Sequence, residues 1–186
     1  MRRPELVLTL WCLFLAAPGY GATAPLIAPD EGQQFERIRK QYDADTNVVW
    51  FIPEVAPEAV TSSTFYVYFG RGDHRQLTPL RLKTVYQGKR ALEVRRYWAT
   101  ANGKRLSLPA GAWHRERVTQ VWEWLDEPLQ SARQVHDLLV LAQARNAVIH
   151  FQGRGGKKQF KLSAELRRAI RDVVAAYQAT GGSVGR

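Results

Sequence analysis

The residue types that can do chemistry gather at two glycine-arginine stretches. Phe69-Gly70-Arg71-Gly72 is followed by His74-Arg75-Gln76, and Gly153-Arg154-Gly155 by Lys157-Lys158-Gln159. Glycines let backbone N–H groups converge on an anion, and nearby Arg and Lys supply charge. Arg71, His74 and Arg75 therefore form one candidate anion-binding cluster, and Arg154, Lys157 and Lys158 a second. If both turns lie at one end of a sheet, six basic or titratable groups share a surface; otherwise they are two solvated hairpin ends. Neither closes with Gly-Lys-Ser/Thr, so neither is a P-loop. The third candidate is Val121-Trp122-Glu123-Trp124-Leu125-Asp126. On a strand, Trp122 and Trp124 share a face with Glu123 opposite. Two rings so placed make a platform that stacks on sugars or bases, or they simply pack into a core.

Catalytic arrangements are sparse. Glu123 and Asp126 are the nearest carboxylates with aromatic company, and such a pair can run glycoside hydrolysis when set a few ångströms apart. A regular strand would aim them at opposite faces. The histidines are His74, His114, His136 and His150, and no two have metal-ligand spacing. No Gly-x-Ser-x-Gly elbow occurs. The sequence calls for no cofactor and no metal.

The amino terminus reads as an address. Arg2 and Arg3, the apolar run Leu6–Ala17, and Ala22-Thr23-Ala24 follow the order of a secretory signal peptide. The run of about twelve residues is too short to span a bilayer. Residues 1–24 are thus expected to be removed, placing the protein in the periplasm or outside the cell. Cys12, the one cysteine, would leave with them, so the exported part has neither disulfide nor thiol chemistry. The remaining 162 residues suit one domain. Losing Arg2, Arg3 and Glu5 takes the formal charge from +10 to +9. That balance favours anionic partners through long-range attraction.

The elements that would position these groups read as follows. Residues 25–32 form a flexible lead-in, 33–179 a single domain, and 180–186 a disordered tail. Gln33–Tyr42 has helical spacing at Phe35, Ile38 and Tyr42. Val48–Ile52 is a strand stopped by Pro53. Thr64–Phe69, apolar or aromatic on both faces, reads as a central strand covered on both sides. Leu80–Tyr86 alternates, with Leu80, Leu82 and Tyr86 against Arg81 and Lys83. Leu92, Val94 and Trp98 continue that pattern, with Glu93, Arg95 and Tyr97 opposite. Asn102-Gly103 signals a type I′ hairpin into Lys104–Leu108. Pro109–Arg117 reads as a loop and Val118–Leu125 as a strand. Ser131–Ala144 is an amphipathic helix, Ala147–Phe151 a strand, Gly153–Lys158 a turn and Gln159–Leu162 the return strand. Ser163 caps a last helix burying Leu166, Ile170, Val173, Val174 and Tyr177. The class is α+β: a predominantly antiparallel sheet of about seven or eight strands, a short N-terminal helix and two helices in the C-terminal half. Alternating βα units are absent, which argues against a doubly wound nucleotide fold.

The order Tyr66-Val67-Tyr68-Phe69-Gly70, Leu80-Arg81-Leu82, Tyr86-Gln87-Gly88, Trp122-Glu123-Trp124-Leu125-Asp126, Ala147–Gly153, then Leu166 and Ala175-Ala176-Tyr177 resembles an uncharacterised family of small, often exported bacterial proteins. The resemblance covers about residues 35–178 and implies one domain and no particular activity. The chain departs from that pattern at its basic Gly153–Lys158 turn. The expected function is a non-enzymatic exported domain contacting an anionic envelope component, a glycan or another envelope protein through its basic turns. Nucleic acid is not the expected partner, and no membrane span follows the apolar run. The alternatives are an envelope glycan hydrolase using Glu123 and Asp126, and a phage- or secretion-linked module pairing through a sheet edge.

Overall fold

A computed structural model describes residues 33–58, 62–117 and 119–183. The signal peptide, the lead-in and the last three residues of the expected tail lie outside the described residues. Among these residues, ten strands form two antiparallel sheets. The six-stranded sheet joins β1 (Ile38–Asp43), β2 (Val48–Pro53), β3 (Thr64–Arg71), β4 (Arg81–Gly88), β8 (Val121–Pro128) and β7 (His114–Arg117), in the order β1-β2-β3-β4-β8-β7. The four-stranded sheet runs β10-β9-β5-β6, from β5 (Val94–Ala101), β6 (Lys104–Leu106), β9 (Ala147–Gly153) and β10 (Gly156–Lys161). The helices are α1 (Gln33–Glu36), α2 (Ala132–Gln143) and α3 (Ala164–Ala179).

Period-2 patterning puts Phe51, Phe65, Val67, Phe69, Leu82 and Leu125 on one face of the large sheet, all at most 2 % exposed. Helix α3 lies against that face, with Tyr177 edge-on to Phe69 at 5.3 Å between centroids. Ser131 and Ser163 cap α2 and α3 by accepting the N–H groups of Gln134 and Leu166. From α3, Arg167 and Arg171 donate to the Ala144 and Ala142 carbonyls at the carboxyl end of α2, satisfying groups a helix end leaves unpaired. The two sheets meet where Tyr86 of β4 packs on Phe151 of β9, 5.9 Å between centroids. One continuous core runs through both sheets and both long helices.

The α+β class and antiparallel pairing stand, with more strands than the sequence suggested and in two sheets. The 33–42 segment is helical only to Glu36, because Ile38–Asp43 pairs in register with Val48–Pro53 and sheet hydrogen bonding overrides helical spacing. β3 is central but covered on one side only; Tyr66 and Tyr68 on its other face remain half-buried. Pro109–Arg117 is not all loop, since His114–Arg117 zips onto β8 as an edge strand. A bulge between Val94 and Arg96 shifts the parity of β5, so Tyr97 faces the core beside Val94, and Trp98 faces out. The glycine-rich turn is shorter than expected, because Gly156–Lys158 already pair with β9. Asn102 (φ 49°) and Gly103 (φ 87°) adopt the left-handed pair the hairpin requires. Thr180–Gly182 close α3: the N–H groups of Gly181 and Gly182 reach the Gln178 and Tyr177 carbonyls, with Gly181 at φ 91°.

Candidate functional site

The two glycine-arginine clusters do not meet. Arg71, His74 and Arg75 sit at the carboxyl end of β3, beside the β1–β2 hairpin, where Asn47 donates to both Asp73 carboxylate oxygens at 2.7 Å. Gly155 and Lys158 share a recess with Ser63, just before the amino end of β3. Eight strand residues, about 23 Å of chain, separate the two ends. The proposed common surface of six groups therefore does not exist.

Neither turn is an open anion cradle. In the first, His74 and Arg75 hold left-handed φ values of 55° and 62°, with exposed side chains, and the Arg71 guanidinium lies 5.5 Å over the Phe51 ring. In the second, the glycines serve close packing. A Cβ on Gly153 would collide with the Leu92 and Glu93 carbonyl oxygens, and one on Gly155 with the Ala91 carbonyl. The Gly155 N–H donates to the Leu92 carbonyl at 2.9 Å. Arg154 is ion-paired with Glu93 at 3.4 Å.

The backbone nest lies in the segment these glycines press upon, and the chain fills it. Glu93 is left-handed (φ 53°), so the N–H groups of Leu92, Glu93 and Val94 converge. One Glu123 carboxylate oxygen accepts Leu92 at 2.7 Å and Glu93 at 2.8 Å, and the other accepts Val94 at 2.7 Å. Arg115 approaches at 3.6 Å. Glu123 is wholly buried and ties β8 of one sheet to β5 of the other. Asp126 faces away from it, accepting hydrogen bonds from Tyr68 (2.6 Å) and Arg81 (2.9 Å). The two carboxylates thus occupy opposite faces of β8 and share no space for a glycoside.

Trp122 and Trp124 do share a face, with Glu123 opposite. They lie on the outer face of the large sheet with Trp50, Tyr66 and Tyr68, half-buried, and Trp124 stacks on His114 at 5.5 Å. Lys83 of that face reaches Asp126 at 4.0 Å, beside the Arg81–Asp126 pair. Arg81 and Lys83 therefore share a carboxylate there.

The other sheet is different. Its pairing aligns three rows across the outward face: Lys157–Gln152–Arg96, Gln159–His150–Trp98, and Lys161–Val148–Thr100–Arg105. Among the described residues these rows contain no carboxylate, and none of their four cations is ion-paired. Strand spacing and rise put Lys157 roughly 13 Å from Lys161 along the strand and roughly 10 Å from Arg96 across the sheet, with Lys161 roughly 14 Å from Arg105. At the centre, Trp98 stacks on His150, 5.0 Å between centroids and 3° from parallel, while the Arg105 guanidinium lies 4.8 Å over the Trp98 ring. Strands β9 and β6 flank β5, so Trp98 is held between these two neighbours. His150 Nε2 and Thr100 Oγ1 are 2.9 Å apart. Burial, then the Arg105 charge, lower the His150 pKa below its ordinary 6.5. Of the residues singled out from sequence, only Lys157 belongs to this face. Arg96, Trp98, Arg105, His150 and Lys161 were missed as a group; their signal is cross-strand register, which a sequence does not print.

Among the described residues no three His, Cys, Asp or Glu cluster as metal ligands, and no helix is long and apolar enough to cross a membrane. The chain matches no family model, no curated protein and no solved structure.

Proposed function

We propose that this protein is an exported, non-enzymatic binding domain that engages an acidic glycan on the outward face of its four-stranded sheet. The observation that supports this reading is the one-signed face of Arg96, Arg105, Lys157 and Lys161 on a rigid sheet. Cations without a carboxylate partner attract a polyanion at long range and retain their charge for it at contact. The choice of glycan over nucleic acid rests on Trp98. Its ring already engages His150 and Arg105, so it offers little free face for a base, and aromatic stacking is what single strands need. Sulfate or carboxylate groups along a sugar chain require only the cations and the Gln152, Gln159 and Thr100 polar groups between them. Export follows from the signal-like amino terminus.

The test is titration with a heparin oligosaccharide, with polygalacturonate, dextran and a single-stranded oligonucleotide as comparisons. Both acidic glycans should bind, with affinity falling steeply as salt rises. The double reversal Arg96→Glu, Lys157→Glu should weaken binding at least about tenfold while melting stays unchanged. Equal affinity for dextran, tighter binding of the oligonucleotide, or indifference to the double reversal would each overturn the reading.

A further inference from the structure

A cation-lined recess lies on the inward side of the same edge strand. Where the two sheets join, a recess of ≈470 Å³ opens between the β4–β5 connection and the β9–β10 hairpin. That volume falls in the range of small-molecule sites, about 300–1,000 Å³. Three cations line it: Lys89 and Arg90 from the connection and Lys158 from β10. Among the described residues none of the three is ion-paired, and no carboxylate lines the recess. Phe151 and Leu92, each 1 % exposed, form an apolar floor with Tyr86. The walls are fixed: the Gly155 N–H holds the hairpin to the Leu92 carbonyl at 2.9 Å, and Ser63 Oγ accepts the Gln87 N–H at 3.0 Å.

We propose that this recess binds a phosphate monoester carried on a ring-sized organic body, of sugar-phosphate dimensions. Three uncompensated cations suit a dianion better than a single carboxylate, and the apolar floor gives the ring a surface that bare phosphate cannot use. Its cations are distinct from those of the proposed glycan face, and Gln159 at the edge of the recess is the one residue the two share. Lys157 pairs with Gln152 on the outward side, whereas Lys158 pairs with Phe151 on the inward side. Consecutive residues of one strand thus serve different ligands.

The experiment titrates the whole chain with glucose 6-phosphate, inorganic phosphate and glucose, by calorimetry and by backbone amide NMR shifts. Glucose 6-phosphate should bind, at least about tenfold tighter than inorganic phosphate, and glucose should not bind. Shifts should centre on 86–92 and 155–159, and the ligand should raise the melting temperature. Lys158→Glu should weaken binding at least about tenfold and Lys157→Glu should not. Equal affinity for phosphate and its ester, binding of glucose, no binding at all, or loss on Lys157→Glu with Lys158→Glu silent would overturn the proposal. Heparin binding in the same variants should show the reverse dependence, so failure of either reading is seen independently of the other.

Discussion

The Glu123 carboxylate lies 2.8 Å from the backbone N–H of Glu93, whose left-handed backbone exists to aim that N–H inward. With Leu92 and Val94 donating at 2.7 Å, this is a buried anion in a backbone nest, and it joins the two sheets. Such groups are costly to leave unpaired. Glu123→Gln replaces an acceptor oxygen with an N–H₂ group facing backbone donors. It should destabilise by about 3 kcal/mol, read as a lower urea midpoint at unchanged slope. The folded variant should bind heparin as the parent does. A loss under about 1 kcal/mol would mean the joint is carried elsewhere.

The sequence pointed to this residue for another reason, as half of a catalytic pair. Alternation along β8 was legible and placed Trp122 and Trp124 opposite Glu123 correctly. What filled the inward face at 123 was not, because the donors come from Leu92–Val94, about thirty residues away. The same limit hid the cationic face. Arg96, Trp98 and Arg105 look scattered along the chain; the bulge at Val94–Arg96 reverses the parity that simple alternation assigns, and only pairing with β9 and β10 sets the rows side by side. Local signals fared better. Ser131, Ser163 and Asn102-Gly103 act within a few residues of themselves and do what their chemistry suggests.

The glycines of the second turn separate two physical requirements. Gly153 has no room for a Cβ against the Leu92 and Glu93 carbonyls, whereas Gly156, at φ 111°, faces open space. Gly156→Ala should therefore cost only backbone strain, about 1 kcal/mol. Gly153→Ala must push the nest segment away from the hairpin and should cost at least about 2 kcal/mol. Chemical denaturation of the two variants gives the order directly. Equal costs would mean that the close approach yields without penalty.

The large sheet carries an alkaline response. Burial, then the Asp126 charge, push the Tyr66 hydroxyl up from 10.0 to about 12. Burial and the hydrogen bond to Asp126 hold Tyr68 higher still. Both tyrosines prefer the neutral form when folded. Their contribution is therefore complete below the unfolded pKa of 10.0 and is lost as pH rises through the folded values. Stability should decline above about pH 10. Asp126→Asn removes the adjacent negative charge, so tyrosinate absorbance should appear at lower pH than in the parent. An unshifted titration would show that burial alone sets these hydroxyls.

His150 couples protonation to the proposed glycan face. Its ring is held neutral by burial and by Arg105, so its pKa lies below 6.5. A depressed histidine contributes stability above its unfolded pKa, and that contribution is lost as pH falls through the folded value. Mild acid should therefore lower the melting temperature of the free protein, and less so in His150→Gln. A bound polyanion reverses the balance. It offsets the Arg105 charge and so favours imidazolium, and ligand and proton should each strengthen binding of the other. NMR titration should place the His150 midpoint below 6.5 in the free protein and move it up with heparin bound. By the same linkage, heparin affinity should rise on acidification in the parent and not in His150→Gln. A midpoint that ignores heparin would place the polyanion away from the Trp98–His150 stack and so away from this face.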